Sequence, residues 1–308
     1  MKLLQLHYVL EVSRHGNHIS NTAEALHTSQ PGISKHIQLL ESELGFEIFA
    51  RKRNRIVGLT EPGQEVVNVA QRILGDIEGL KRLGEEMSAR ESGSLAIATT
   101  HTQARYVLPK VIEKFIQRHP KVALTLRQGN PTQICEMVES GATDIAIGTE
   151  TTRPFPELVR LDCFELERII IVKAGHPLLK VKKPTLHDVA VYPIITHDPA
   201  YSGRWKVIEA FKEVGITPNI VFGAVDADVS KTYVELGLGI AVMTAVSFNR
   251  TKDQGLRAID ASHLFKPSMI SISLRSQSYL RSHTYEFIRM FAPHLTRDVV
   301  DEAMKKAP

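Results

Sequence analysis

TAEALHTSQPGISKHIQLLESEL, Thr22 to Leu44, reads as two short helices joined by a tight turn, the pattern of a helix-turn-helix. Ala23, Ala25 and Leu26 are compact apolar residues, suited to a helix that crosses closely under another, and His27-Thr28-Ser29 forms the break. Ser29 is positioned to cap the second helix, and Pro31 is tolerated in its first turn, where an N–H would have no intrahelical partner. Ile33, Ile37, Leu40 and Leu44 recur at steps of four, three and four and share one face. Gln30, Ser34, Lys35 and Gln38 are left on another face, with Ser29 and Pro31 at the helix start. That face offers donors and acceptors for base edges and a positive charge for phosphate, so these six are candidate DNA contacts. By composition alone, a helical hairpin with a solvated polar face reads the same way.

Outward from this stretch, Phe46 to Phe49 and Ile56 to Thr60 are apolar arms around Arg51-Lys-Arg-Asn-Arg55. They read as a β-hairpin wing whose basic tip, with Arg51, Arg53 and Arg55, meets the phosphate backbone or a minor groove. Upstream, Leu3, Leu6, Val9, Leu10 and Val12 keep helical spacing over residues 2 to 14. Downstream, Thr60 can cap, and Pro62 can open, a long helix running to about Arg90. Within it Val66, Ala70, Ile73, Ile77 and Leu80 form a heptad seam, widened by Val67, Leu74 and Leu83. Such a helix either packs on its own domain or pairs two DNA-reading units about one duplex turn apart. Ser88 to Gly93 is small and polar, a linker.

Beyond the linker, strands and helices alternate. Strands are expected at Ser94–Thr99, Val122–Arg127, Thr143–Thr149, Arg168–Lys173, Ile220–Ala224, Ile240–Thr244 and Met269–Leu274. Helices are expected at Gln103–Arg118, Pro131–Glu139, Gly203–Val214, Val229–Leu236 and Tyr279–Phe291. The alternation argues an α/β fold with mostly parallel sheets. The length, 308 residues, fits two or three domains. A formal charge of +4 permits a nucleic-acid partner without requiring one. Two cysteines, Cys135 and Cys163, are too few for a disulfide framework, so a reducing cytoplasm is expected. Gln, His and Glu interrupt the first eleven residues, and neither a signal peptide nor a transmembrane run is expected.

"TAEALHTSQPGISKHIQLLESELGFEIFARK" with "LTEPGQEV" resembles the DNA-binding end of the LysR-type transcriptional regulators. "GSLAIATTHTQARYVLP", "GNPTQI", "DADVSKTYVELGLGIAV" and "FAPHLTRDVVD" are similar to the CysB/Cbl branch, which controls sulfur assimilation. The resemblance runs over essentially the whole chain. It implies an α/β sensor of two subdomains, similar to the periplasmic binding proteins, preceded by an all-α winged helix-turn-helix with its β-hairpin wing and a long linker helix. The implied domains are 1–60, 61–90 and 91–308, with subdomain 1 at about 91–162 and 267–308 and subdomain 2 at about 163–266. Crossovers are expected near Leu161–Glu165 and Leu264–Lys266. The implied function is a DNA-binding regulator of sulfur assimilation or sulfonate-utilisation genes, with double-stranded promoter DNA and RNA polymerase as partners. A homotetramer is implied as well.

The strand-to-helix turn Thr99-Thr-His-Thr-Gln103 gathers backbone N–H groups and hydroxyls at a helix start, a geometry that binds anions. Thr100, Thr102 and Gln103 are neutral donors, and Thr149 can face them across a cleft. Neutral donors suit a small oxyanion or a zwitterion without any fixed cation. Threonines at strand ends also cap helices, which is the plainer reading. The resemblance implies that Thr100, Thr102, Gln103, Thr149 and Ser202 hold an effector such as sulfate, an acetylserine or adenylyl sulfate. The chain departs from that branch with Leu166 in place of Trp, with Ser rather than Thr at 202, and in the loop 197–205. An effector unrelated to sulfur is the alternative.

Other chemistry is thinly supported. The thirteen histidines show no HExxH or paired Cys/His spacing, so no metal and no cofactor is expected. Cys135 and Cys163 read as structural, and Asp226 and Asp228 as helix caps. No catalytic residues and no enzyme activity are expected. A solute-binding protein would carry an export signal and lack the basic module. An enzyme fused to a DNA-binding module would need acid, base or nucleophile groups in the cleft.

Overall fold

The structure, a computed structural model, describes residues 1–53, 55–88, 93–276 and 278–306, without the side chains of 55, 78, 82, 83 and 85–88. Residues 89–92 of the expected linker and the side chain of Leu83 lie outside the described residues. The chain forms two compact units, Met1–Met87 and Ser88–Pro308.

The first unit contains α1 (Leu3–Arg14), α2 (Ile19–Ala25), α3 (Gln30–Leu44), β1 (Phe49–Lys52), β2 (Arg55–Leu59) and α4 (Glu61–Ser88). Ser29 caps α3, its Oγ accepting from the Gly32 N–H at 3.3 Å. Gly45 ends α3 at φ +79°, a left-handed conformation that glycine adopts without a Cβ penalty. Ile33, Ile37 and Leu40 are fully buried with Leu6, Val9, Val12 and Phe49, whereas Leu44 ends exposed. The hairpin starts later than its apolar arm suggests: β1 begins at Phe49, and Arg51 and Lys52 are strand residues. With that two-stranded antiparallel sheet the module is not purely helical.

The entry to α4 is tightly fitted. Thr60 Oγ1 accepts from the Gly63 N–H at 2.9 Å and donates to the Glu47 carbonyl at 2.7 Å. A Cβ on Gly63 would stand 1.9 Å from the Ile48 carbonyl oxygen. The start of the seam packs on its own module, Val67 and Ala70 buried and Val66, Ile73 and Leu74 partly so. Leu80, farther along the seam, is 67% exposed.

The second unit contains two five-stranded sheets. The first has the order β4 (Val122–Gln128), β3 (Gly93–Thr99), β5 (Ile145–Gly148), β12 (Ser268–Arg275), β6 (Leu158–Leu166). The second has the order β11 (Leu256–Asp260), β7 (Arg168–Lys173), β10 (Ile240–Thr244), β8 (Ile194–His197), β9 (Ile220–Ala224). Helices α5 (Pro109–Arg118), α6 (Pro131–Glu139), α10 (Ser282–Phe291) and α11 (Arg297–Lys306) accompany the first sheet; α7 (Leu186–Ala190), α8 (Ser202–Glu213) and α9 (Ala227–Glu235) accompany the second. Both sheets are mixed, because each takes in one strand that runs against the other four: β12, between β5 and β6, in the first, and β7, between β10 and β11, in the second.

Residues 161–165 are not a crossover. They continue β6, whose Val159, Leu161 and Leu166 feed the first core, and this first crossing falls at Glu167; the second lies between β11 and β12. The segment 103–118 is not one helix either. Gln103–Val107 is a π-helical turn closed by the Leu108 N–H on the Gln103 carbonyl at 2.9 Å. Pro109, with no N–H to donate, opens α5 afresh. Strands β6, β8 and β11 and helices α7 and α11 are not among the elements expected from the sequence.

Candidate functional site

On α3, Gln30, Pro31, Lys35 and Gln38 are exposed and Ser34 is half-buried. Gln30 Oε1 accepts from Ser20 Oγ at 3.2 Å, which ties the recognition helix to α2. In the wing, Arg53 is exposed at the tip with φ +49°. Arg51 lies elsewhere. Its Nη2 meets Glu41 Oε2 at 2.7 Å, while Glu41 Oε1 accepts from the Ile48 and Phe49 N–H groups at 2.9 and 3.2 Å. Glu41 is 8% exposed, so Arg51 neutralises a buried carboxylate that staples α3 to the wing. The side chain of Arg55 lies outside the described residues.

In the sensor, β3, β5, β7, β8, β10 and β12 deliver residues to one small cleft between the two sheets. Thr100, Thr102, Gln103, Thr149 and Ser202 all line it. Ser202 Oγ donates to Thr149 Oγ1 at 3.0 Å, closing the cleft from one subdomain to the other. The cavity is about 30 Å³. At roughly 10–15 Å³ per water, this holds about two or three waters, the size of one oxyanion. A larger cavity of about 180 Å³ lies under α6, lined by Cys135, Gly148, Arg160 and Ser273.

The smaller cavity holds the unsatisfied chemistry. Gln103 Oε1, Arg168 Nε, His197 Nδ1 and Thr244 Oγ1 are buried there without a hydrogen-bond partner. Buried polar groups are ordinarily paired, so a cluster of unpaired ones marks a place where a ligand completes the set. Arg168 overturns the expectation of neutral donors alone. It is 1% exposed, its Nη2 donates to Ser268 Oγ, and burial lowers its pKa to about 10, still charged at neutral pH. His197 is pushed down to about 4 by burial and by the Arg168 charge, hence neutral. Neither was singled out from sequence. A cation opening the otherwise apolar run Arg168-Ile-Ile-Ile-Val was the available signal for the first. His197 ends a strand whose apolar part, Ile194-Ile195, is too short to notice.

Leu166 is 4% exposed in the first core and does not line the cleft. Cys135 contacts Ser273 Oγ at 4.0 Å, and burial pushes the Cys163 thiol up to about 12, far from a reactive thiolate. Asp226 caps α9, accepting from the Val229 N–H at 2.8 Å. Asp228 does more than cap: it receives the Tyr106 phenol at 2.6 Å and pairs with Lys231 at 3.1 Å and with Arg105. His101, Asp226 and Asp228 place ligand atoms within 4.8 Å of one another, but Arg105 and Lys231 already balance the carboxylate charge.

Residues 3–64 match the model of the bacterial regulatory helix-turn-helix proteins of the lysR family, and residues 88–296 match the LysR substrate binding domain. The chain belongs to the LysR family of transcriptional regulators. It is a regulator with a DNA-binding module and a small-molecule-binding sensor, not an enzyme. The HTH-type transcriptional regulator CysB of Burkholderia cenocepacia is 47% identical, over 99% of this chain and 97% of that protein. The HTH-type transcriptional regulator SsuR of the same organism is 44% identical over the full length of both. The cofactor-binding domain of the Cbl transcriptional regulator superposes with a TM-score of 0.67 at 35% identity, covering 70% of this chain and 94% of that one. Among the described residues no helix is long and apolar enough to cross a membrane.

Proposed function

We propose that this protein is a sulfur-responsive LysR-type regulator whose effector is a small anion or acetylserine-type molecule bound between the sensor subdomains. The observation that carries this is the cluster of unpaired buried polar atoms from Gln103, Arg168, His197 and Thr244 around a cavity of about 30 Å³, beside Thr100, Thr102, Thr149 and Ser202. A cavity of that size accepts one oxyanion group directly, so an effector as large as adenylyl sulfate requires the cleft to widen. The similarity to CysB, SsuR and Cbl supports the sulfur link.

On DNA, α3 enters the major groove with Gln30, Ser34, Lys35 and Gln38 toward base edges and phosphates, and Arg53 follows the backbone from the wing tip. Arg51 keeps its role inside the module, through Glu41. The exposed end of the α4 seam joins two copies, and two such dimers form a tetramer that contacts RNA polymerase in the cytoplasm.

The test is a calorimetric titration of the full-length chain with sulfate, O-acetylserine, N-acetylserine and adenylyl sulfate. Saturable binding of one of them, lost in Thr100→Ala, is the expected result. Binding that survives Thr100→Ala moves the pocket elsewhere, and binding of none of the four removes the sulfur link.

A further inference from the structure

The two sides of the cleft are not alike. Subdomain 1 presents hydroxyls and an amide to the cleft, whereas subdomain 2 presents the buried Arg168 guanidinium. Among the described residues Arg168 is the largest fully buried side chain. Its Nη2 donates to the neutral Ser268 hydroxyl, and its Nε has no partner. Glu150 acts on it through space, but Glu150 Oε1 already accepts from Lys206 Nζ at 2.5 Å and from the Met269 N–H at 3.2 Å. Lys206 and Glu150 cancel, which leaves Arg168 as a net positive charge.

That charge faces a second positive pole. A Cβ on Gly203 would stand 3.1 and 3.4 Å from Arg168 Nη1 and Nη2 and 3.0 Å from His197 Nδ1, so the guanidinium and imidazole lie against the first turn of α8. No side chain caps this 12-residue helix at Tyr201, and Ser202 Oγ is turned away toward Thr149. A helix N-terminus carries about half a positive charge. A guanidinium buried against it repels it unless an anion lies between them. His197 adds no charge and can contribute one N–H to such an anion.

We infer that Arg168 and the open N-terminus of α8 form the charge-reading end of the cleft: they take the negatively charged group of the effector and exclude an ammonium from the same place. This rests on the effector reading given above and names the half of the site that selects by charge, with Thr100, Thr102 and Gln103 as the neutral half. The absence of a Cβ at residue 203 is part of the site, since a methyl group there would occupy the space between helix and guanidinium.

The test compares N-acetylserine with its neutral amide, N-acetylserinamide, and inorganic sulfate with both, by calorimetry on the full-length chain. The acid is expected to bind about 10- to 100-fold more tightly than the amide, the range for one charge-assisted contact. Arg168→Gln should bring acid and amide to within about threefold of each other. Gly203→Ala should weaken the acid and sulfate while leaving the far-UV circular dichroism unchanged, which decides the matter if Arg168→Gln does not fold. Equal binding of acid and amide by the unsubstituted protein overturns the inference. If binding is lost in Thr100→Ala but kept in both Arg168→Gln and Gly203→Ala, the pocket stands and the charge-reading role fails. If binding survives all three substitutions, the pocket reading fails with it.

Discussion

Tyr106 and Asp228 join the two sensor subdomains: the phenol, on the π turn that follows β3, donates to the carboxylate on α9 at 2.6 Å. Lys231 Nζ stands 3.1 Å from the same phenol oxygen and 3.1 Å from Asp253, and Arg105 also pairs with Asp228. Gln103, three residues before Tyr106 on the same turn, lines the effector cleft. The π turn therefore links the ligand-facing residues to the clasp. Removing the hydroxyl in Tyr106→Phe leaves a carboxylate and an ammonium each short of one partner, at about 1.5–3 kcal/mol. The expected outcome is a lower thermal midpoint for the sensor and an effector affinity weaker by about tenfold. If both stay at their original values, the clasp does not hold the closed form.

Lys35 is exposed on α3 and makes no ion pair among the described residues. Lys35→Ala should weaken operator binding nearly uniformly across sequences and reduce the slope of log affinity against log salt by about one. Fluorescence anisotropy at several salt concentrations measures this. An unchanged slope would show that the ammonium does not reach a phosphate.

Gly63 has no room for a side chain, with the Ile48 carbonyl 1.9 Å from where a Cβ would sit. Gly63→Ala must push α4 away from the wing and disturb the Thr60 cap as well. Overpacking of this kind costs about 1–3 kcal/mol. Urea unfolding of the N-terminal unit should show the loss. A midpoint equal to that of the parent protein would mean that the helix entry shifts freely.

His197 makes the sensor sensitive to acid. Its pKa is 6.5 when unperturbed and about 4 in the folded protein. Between these values the unfolded chain binds more protons than the folded one, so stability rises with pH, is complete above 6.5 and is lost as the pH falls toward 4. Chemical denaturation at pH 7 and pH 5 should therefore show a smaller drop in His197→Gln than in the parent. Equal drops would assign the acid sensitivity to other groups.

Glu41 is the buried charge of the first unit, held by two N–H groups and Arg51. Glu41→Ala leaves the Ile48 and Phe49 N–H groups unpaired and Arg51 with only its longer contacts to Glu47 at 3.9 Å and the Phe49 carbonyl at 3.4 Å, at a cost of about 3–5 kcal/mol. Circular dichroism melting of the full chain should show the N-terminal transition at a lower temperature. A transition that does not move would reduce Glu41 to a surface contact.

The sequence by itself determined what is local. Ser29 capping α3, Pro131 opening α6 and the strands Arg168–Lys173, Ile220–Ala224 and Ile240–Thr244 follow from capping chemistry, fixed proline geometry and continuous apolar runs within a few residues. Short or alternating strands such as Ile194–His197 and Leu158–Leu166 escaped, because their apolar character belongs to a sheet face completed by other segments. Thr100, Thr102 and Gln103 were legible because they sit where a strand gives way to a helix. Only the tertiary structure decided the charges. Arg51 reads as a phosphate contact until Glu41, ten residues away, is found against it; Arg168 reads as the edge of a strand until the first turn of α8 is found against it. The role of an ionised side chain depends on which opposite charge lies within a few ångströms, and folding sets that distance between residues far apart in the chain.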